Sequence, residues 1–196
     1  MAEAAVALSS SRRRARWQAL TISLLVTGYA GYYLCRSNLA VVMPLLIADR
    51  ARRGMSPDAA RIALGSVASF GVLAYAIGKF PSGSLADYLG GRRNFLLGMI
   101  GSIAFTIAFA LCGNVPLFTL AWMGNRLMQS MGWAGAVKIA SKWFSFRRYG
   151  TVMAIVSLSF LFGDALARQF MALLLAAGLG WRSVFLVDAA VLAARV

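Results

Sequence analysis

The sequence predicts an all-α membrane protein, a bundle of six membrane-spanning helices whose sixth helix is incomplete, and three observations predict it. Hydrophobic residues fill 60% of the 196 positions and charged residues only 13%, whereas soluble domains run about half apolar and a quarter charged. The mean hydropathy is +0.72. The apolar residues are gathered into runs of about 20 or more, the length that crosses ~30 Å of hydrocarbon. Helices follow from the solvent, because lipid offers no partner to an unpaired backbone group.

The elements follow in chain order. Residues 1–16 form a basic tail carrying Arg12, Arg13, Arg14 and Arg16. The first span covers 17–48; it is too long for a signal-peptide core and lacks a cleavage site, so no processing is expected. The second covers 59–86 and holds Pro81, which is expected to bend it. A segment rich in glycine and charge, 83–93, then turns the chain. The third span covers 95–112. The fourth covers 116–144, where Gly132 and Gly135 admit a close neighbouring helix. The fifth covers 150–177, after a Trp181-Arg182 pair expected to anchor the outer interface comes a sixth that opens at Ser183, and 183–196 is too short to span. Nine Lys and Arg residues fall in the segments on the N-terminal side of the membrane and five on the other, which orients the N-terminus to the cytoplasm.

Composition also excludes classes of function. The chain has no His and two cysteines, Cys35 and Cys112, each inside a span. No metal-ligand spacing, disulfide framework, catalytic triad or acid–base pair can be assembled from these, so no enzyme, metal or cofactor is expected. The net charge of +14 sits mostly in short juxtamembrane segments, where basic residues meet anionic lipid headgroups. A nucleic-acid partner is therefore not expected.

Ionisable groups at membrane depth carry the functional reading, since each costs at least ~2.5–3.5 kcal/mol at a helix centre and faces a bundle interior or a wet cavity. Arg36 lies midway along the first span, beside Ser37 and Asn38 and near Tyr32 and Tyr33; its guanidinium fork suits phosphate or carboxylate. An internal pairing of Arg36 with Asp164 is the bland alternative. Lys79 and Lys138 either line a cavity or snorkel to the inner headgroups. Asp164 and Arg168 are four residues apart and share a helix face, which reads first as self-neutralisation of an intramembrane ion pair. Gly83, Asp87, Gly90, Arg92 and Arg93 put a turn with both signs of charge at the inner face, suited to capping helix ends and closing a cytoplasmic gate.

The segment 83–93 (GSLADYLGGRR) resembles the loop between the second and third helices of major facilitator superfamily transporters. With 31–46 (GYYLCRSNLAVVMPLL), the Gly78-Lys79-Phe80 step and 129–144 (QSMGWAGAVKIASKWF), the chain resembles the N-terminal six-helix half of the organophosphate:inorganic-phosphate antiporters. That family includes glycerol-3-phosphate and hexose-phosphate transporters. The resemblance implies that Arg36 is the first-helix arginine that binds the phosphoryl group and Lys79 the second-helix lysine near the cavity. Lys138 stands where bacterial members carry a fourth-helix arginine, so the charge is kept and the fork is lost. Ser159 stands where the glycerol-phosphate members carry a fifth-helix histidine, and Ala134-Gly135 replaces a Pro-Pro step.

The resemblance also implies twelve helices in two halves, with a second arginine in the seventh helix, so a C-terminal half is expected to be missing from this chain. The expected function is transport of a phosphorylated organic anion such as glycerol 3-phosphate or a sugar phosphate, in exchange for inorganic phosphate, in a bacterial inner membrane. Substrate-binding residues would be Arg36, Lys79, Lys138, Tyr32 and Asn38. Three alternatives stand beside it: a sugar-phosphate sensor, an organic-carboxylate transporter of the same superfamily, and an inactive truncated half.

Overall fold

A computed structural model describes the backbone of residues 2–196 and the side chains of residues 12–196. The helices are α1 (Ala2–Tyr32), α2 (Leu34–Arg52), α3 (Pro57–Leu89), α4 (Gly91–Leu111), α5 (Val115–Trp143), α6 (Phe146–Ala176) and α7 (Trp181–Ala193). Four stretches are long and apolar enough to cross a membrane: α1 with α2 from Arg12, then α3, α4 and α6.

The expected first span is two helices interrupted at one residue, Tyr33, whose backbone stays near helical values at φ −71° and ψ −22°. There the hydrogen bonding tightens: Tyr33 N–H donates to Ala30 O at 3.0 Å and Arg36 N–H to Tyr33 O at 3.2 Å. These are i→i−3 bonds of the tighter 3₁₀ kind. The interruption thus falls one turn before Arg36.

The expected basic tail, 1–16, belongs to α1, which runs unbroken into the span. Arg12, Arg13, Arg14 and Arg16 are exposed on it; the side chains of 1–11 lie outside the described residues.

Helix ends carry their own chemistry. Ser56 Oγ accepts from Ala59 N–H at 3.3 Å with Pro57 opening α3, and Asn114 Oδ1 accepts from Leu117 N–H at 2.9 Å at the start of α5. Both are N-caps that satisfy orphan backbone donors. The 83–93 segment departs most from expectation. It is helical apart from Gly90, so α3 and α4 are joined by a single residue at φ 83° and ψ 151°. That region is essentially open to glycine alone. Gly83 lies inside α3, and so does Pro81, through which the helix continues unbroken.

The core is arranged around α5, which packs against α3 on one side and α4 on the other, while α6 covers α1 and α2 and α7 covers α2 and α4. Close approach is built in at small residues: a Cβ on Gly135 would lie 2.8 Å from Phe95 N and 2.9 Å from Gly91 O. Near the C-terminal end of α4, Phe109 stacks on Phe118 at 4.6 Å and on Phe185 at 4.7 Å. Trp181 joins this cluster edge-on and is buried. It is therefore no interfacial anchor, contrary to the sequence expectation. Arg182 is turned inward as well, donating to Ala110 O and Cys112 O at 3.0 and 3.2 Å and satisfying carbonyls that α4 leaves open at its end.

Candidate functional site

Faces of α1, α2, α3 and α5 meet at a common centre, and helical phase decides which side chains arrive. On α1 and α2, Tyr29, Tyr33 and Arg36 are spaced four and then three apart. On α3, Tyr75 and Lys79 are four apart. On α5, Trp122, Arg126, Gln129 and Trp133 follow the same spacing. Residues three and four apart share a helix face. The centre is a cavity of about 340 Å³ between these faces and α6, lined by Tyr29, Tyr33, Arg36, Tyr75 and Trp133 with Ser157 and Phe160.

Tyr75 is the hub. Arg36 Cζ lies 4.7 Å from its ring centroid, Lys79 Nζ 4.8 Å and Arg126 Cζ 5.1 Å. Arg36 also lies over Tyr33 at 5.2 Å, and Arg126 over Trp122 at 5.9 Å. Gln129 fixes the arrangement: its Oε1 accepts from Arg126 Nη1 at 3.2 Å, and its Nε2 donates to Cys35 O at 3.0 Å and Asn125 Oδ1 at 2.8 Å. A single amide thereby ties Arg126 on α5 to the backbone residue preceding Arg36 on α2.

No carboxylate neutralises this cluster among the described residues. Asp49 pairs with Arg50 and Arg53, Asp58 with Arg61, Asp87 with Lys138 and Asp164 with Arg168. Asp188 is fully buried on α7 and makes no hydrogen bond. Three cations held by aromatic faces, with one amide oxygen on Arg126, would cost roughly 8–10 kcal/mol in hydrocarbon on the mildest scale. That rivals the whole stability of a domain, ~5–15 kcal/mol. Cation–π contacts return ~0.5–2 kcal/mol each, so the cluster is chemically suited to an anion and to a wetted cavity.

The residues singled out from sequence part company here. Arg36 and Lys79 are in the cluster. Tyr32, one position away from Tyr33, points the other way and donates to Phe95 O at 2.6 Å in the α4 interface. Asn38 is fully buried outside the cavity, with its Oδ1 accepting from Leu39 N–H at 2.8 Å. Lys138 is ion-paired with Asp87, three helical turns along α5 from Arg126. Sharing depth with Arg36 did not place Tyr32 and Asn38 in the cavity, because depth along a helix leaves its phase undetermined, whereas Lys138 lies too far along α5.

Asp164 receives Arg168 Nε at 2.8 Å and the Ser37 hydroxyl on its other oxygen, so Arg36 does not take it as a partner. Of the remaining group, Asp87 joins α3 to α5 through Lys138. Arg92 and Arg93 open α4 after Gly90 and are exposed. With Lys138 and Lys142 they rim a wider groove of about 740 Å³ floored by apolar residues such as Leu20, Leu24 and Leu96. That groove is larger, yet its cations are spread along a rim and share no centre. Arg126 went unmarked in the sequence reading although it is an arginine ten residues inside the fourth span, the same signal that marked Arg36.

The sequence profile of the Major Facilitator Superfamily matches residues 25–194. The probable hexose phosphate transport protein of Chlamydia trachomatis is 31% identical over 150 residues, covering 76% of this chain and 31% of that protein. The glycerol-3-phosphate transporter of Bacillus subtilis is 28% identical over 189 residues, 93% of this chain and 41% of that protein. The membrane sensor protein UhpC of Escherichia coli is 24% identical over 173 residues, 87% of this chain and 37% of that protein. The chain spans well under half the length of the curated relatives it matches.

Proposed function

The chain belongs to the Major Facilitator Superfamily, and from that premise we propose that it forms the phosphate-binding half of a membrane transporter for phosphorylated organic anions. Its apolar helices make it an integral membrane protein, and proteins similar to it are named as transporters of hexose phosphate and glycerol 3-phosphate. The observation that carries the reading is the cation cluster on Tyr75, none of whose members is ion-paired with a carboxylate among the described residues. Arg36 would take the phosphoryl oxygens in its fork, where charge-assisted bidentate bonds are strongest. Lys79 would supply a mobile point charge, and Tyr29, Tyr33 and Ser157 hydroxyls nearby would receive the rest of the solute.

Transport then proceeds by rocking of this bundle against a second one around the fixed site, in exchange for inorganic phosphate. The N-terminus is cytoplasmic by the excess of Lys and Arg on that side, and the setting is a bacterial inner membrane. The Asp87–Lys138 pair joins α3 to α5 near the cytoplasmic face and would favour the state closed to the inside. A second reading has one observation behind it, the similarity to membrane sensor protein UhpC: a chain that binds the same solute and reports it with little flux.

The test is counterflow of labelled phosphate against glycerol 3-phosphate in proteoliposomes, using a chimera in which this chain replaces the matching segment of the Bacillus subtilis transporter. Exchange above background that falls at least tenfold with Arg36→Lys, insertion being unchanged, is the expected result. Exchange indifferent to that change overturns the assignment. Saturable solute binding without flux favours the sensor.

A further inference from the structure

Arg126 is a second guanidinium fork on the same hub as Arg36, and it is built in rather than incidental. It is only 9% exposed, yet its partners are an amide oxygen and two aromatic rings, and it takes no acid among the described residues. Gly71 on α3 makes room for the Trp122 ring and the Arg126 stem together: a Cβ there would clash with Trp122 Cδ1 and lie 3.1 Å from Arg126 Cγ. Gln129 accepts one of its N–H groups, and a guanidinium has five N–H donors in a fixed fork. Most of the donor set is thus uncommitted, and Arg126 shares the Tyr75 ring with Arg36, which lines the cavity.

We propose that Arg126 is a specificity-determining residue that binds a second anionic group on the solute, so that the site selects phosphorylated organic acids over simple phosphate monoesters. The proposal rests on the anion-site reading above and deepens it. A phosphate monoester presents at most two negative charges on one tetrahedral group, which one fork and one ammonium already match. A third cation at the same ring is surplus for that ligand, and remains a buried charge left unpaired at a cost. A carboxylate, or a second phosphate, a few bonds from the first one meets that charge with a planar or tetrahedral pair of oxygens suited to the guanidinium fork. Discrimination then arises as it does wherever a buried polar group is left unpaired by the wrong ligand.

The experiment uses this chain in lipid nanodiscs, with fluorescence of Trp133 and Trp122 as reporters because one lines the cavity and the other lies against Arg126. The probes are inorganic phosphate, glycerol 3-phosphate with one anionic group, and 3-phosphoglycerate with two. The wild-type chain is expected to bind 3-phosphoglycerate at least tenfold more tightly than glycerol 3-phosphate. Arg126→Gln weakens both and collapses the ratio toward one, while Arg126→Lys, which keeps the charge in the same packing, retains part of it. A ratio near one in the wild type, or a ratio unmoved by Arg126→Gln, overturns the proposal while leaving the anion site intact. No binding of any probe overturns both readings together.

Discussion

Tyr75 is where the residue scale is decided. Its ring faces three cations at 4.7–5.1 Å, and each such contact contributes ~0.5–2 kcal/mol depending on desolvation. Tyr75→Leu keeps apolar bulk but removes the π faces, so it should lower stability by about 1–3 kcal/mol and weaken phosphate binding, whereas Tyr75→Phe should preserve most of both. Thermal unfolding in detergent, with and without phosphate, separates the two variants; equal behaviour would mean that the ring does not hold the cations. At this scale the sequence was readable in part. An arginine or lysine inside an apolar run announces itself by its cost, and Arg36 and Lys79 were found that way. Arg126 carried the same signal. Tyr32 and Asn38 lie near Arg36 in depth, and only the rotation of each helix about its axis separates Tyr32 in the α4 interface from Tyr33 in the cavity; Lys138, a charge inside the fourth span, is paired with Asp87 instead.

Elements were legible because lipid forces them to be: a spanning helix needs a continuous apolar run, and every run became helical, with ends displaced by a few residues except in the first, which begins at Ala2 and is interrupted at Tyr33. Local turn chemistry was less so. Glycines and charges at 83–93 suggested a loop, yet a helical glycine costs only ~1 kcal/mol relative to alanine, and burial of α3 against α5 exceeds that. The true turn is Gly90 alone, at φ 83°. Gly90→Ala should therefore destabilise the bundle by roughly 1–3 kcal/mol. Gly83→Ala should be neutral or mildly stabilising, because a Cβ there meets nothing within 4 Å. Denaturation of both variants in detergent checks the contrast; equal losses would mean that the backbone conformation at Gly90 is not what joins α3 to α4. The interruption at Tyr33 had only a faint signature, Gly31 two residues before it, and its dihedrals stay within the helical range.

At the scale of the whole molecule, charge is separated by place. Carboxylates near the ends of the helices or on the α6 face are paired with their neighbours, as at Asp49, Asp87 and Asp164, while the centre retains three cations that pair with no acid among the described residues. Outer arginines also reach inward to backbone carbonyls, Arg50 (paired with Asp49 as well) to Gly113 O at 2.8 Å and Arg182 to Ala110 O at 3.0 Å. An anion at the centre is what this distribution lacks. The most direct measurement is equilibrium binding of labelled inorganic phosphate to the purified chain in nanodiscs, compared with Arg36→Gln. Saturable binding that weakens at least tenfold in the variant is predicted. Phosphate binding of equal strength in both, or none in either, would contradict it.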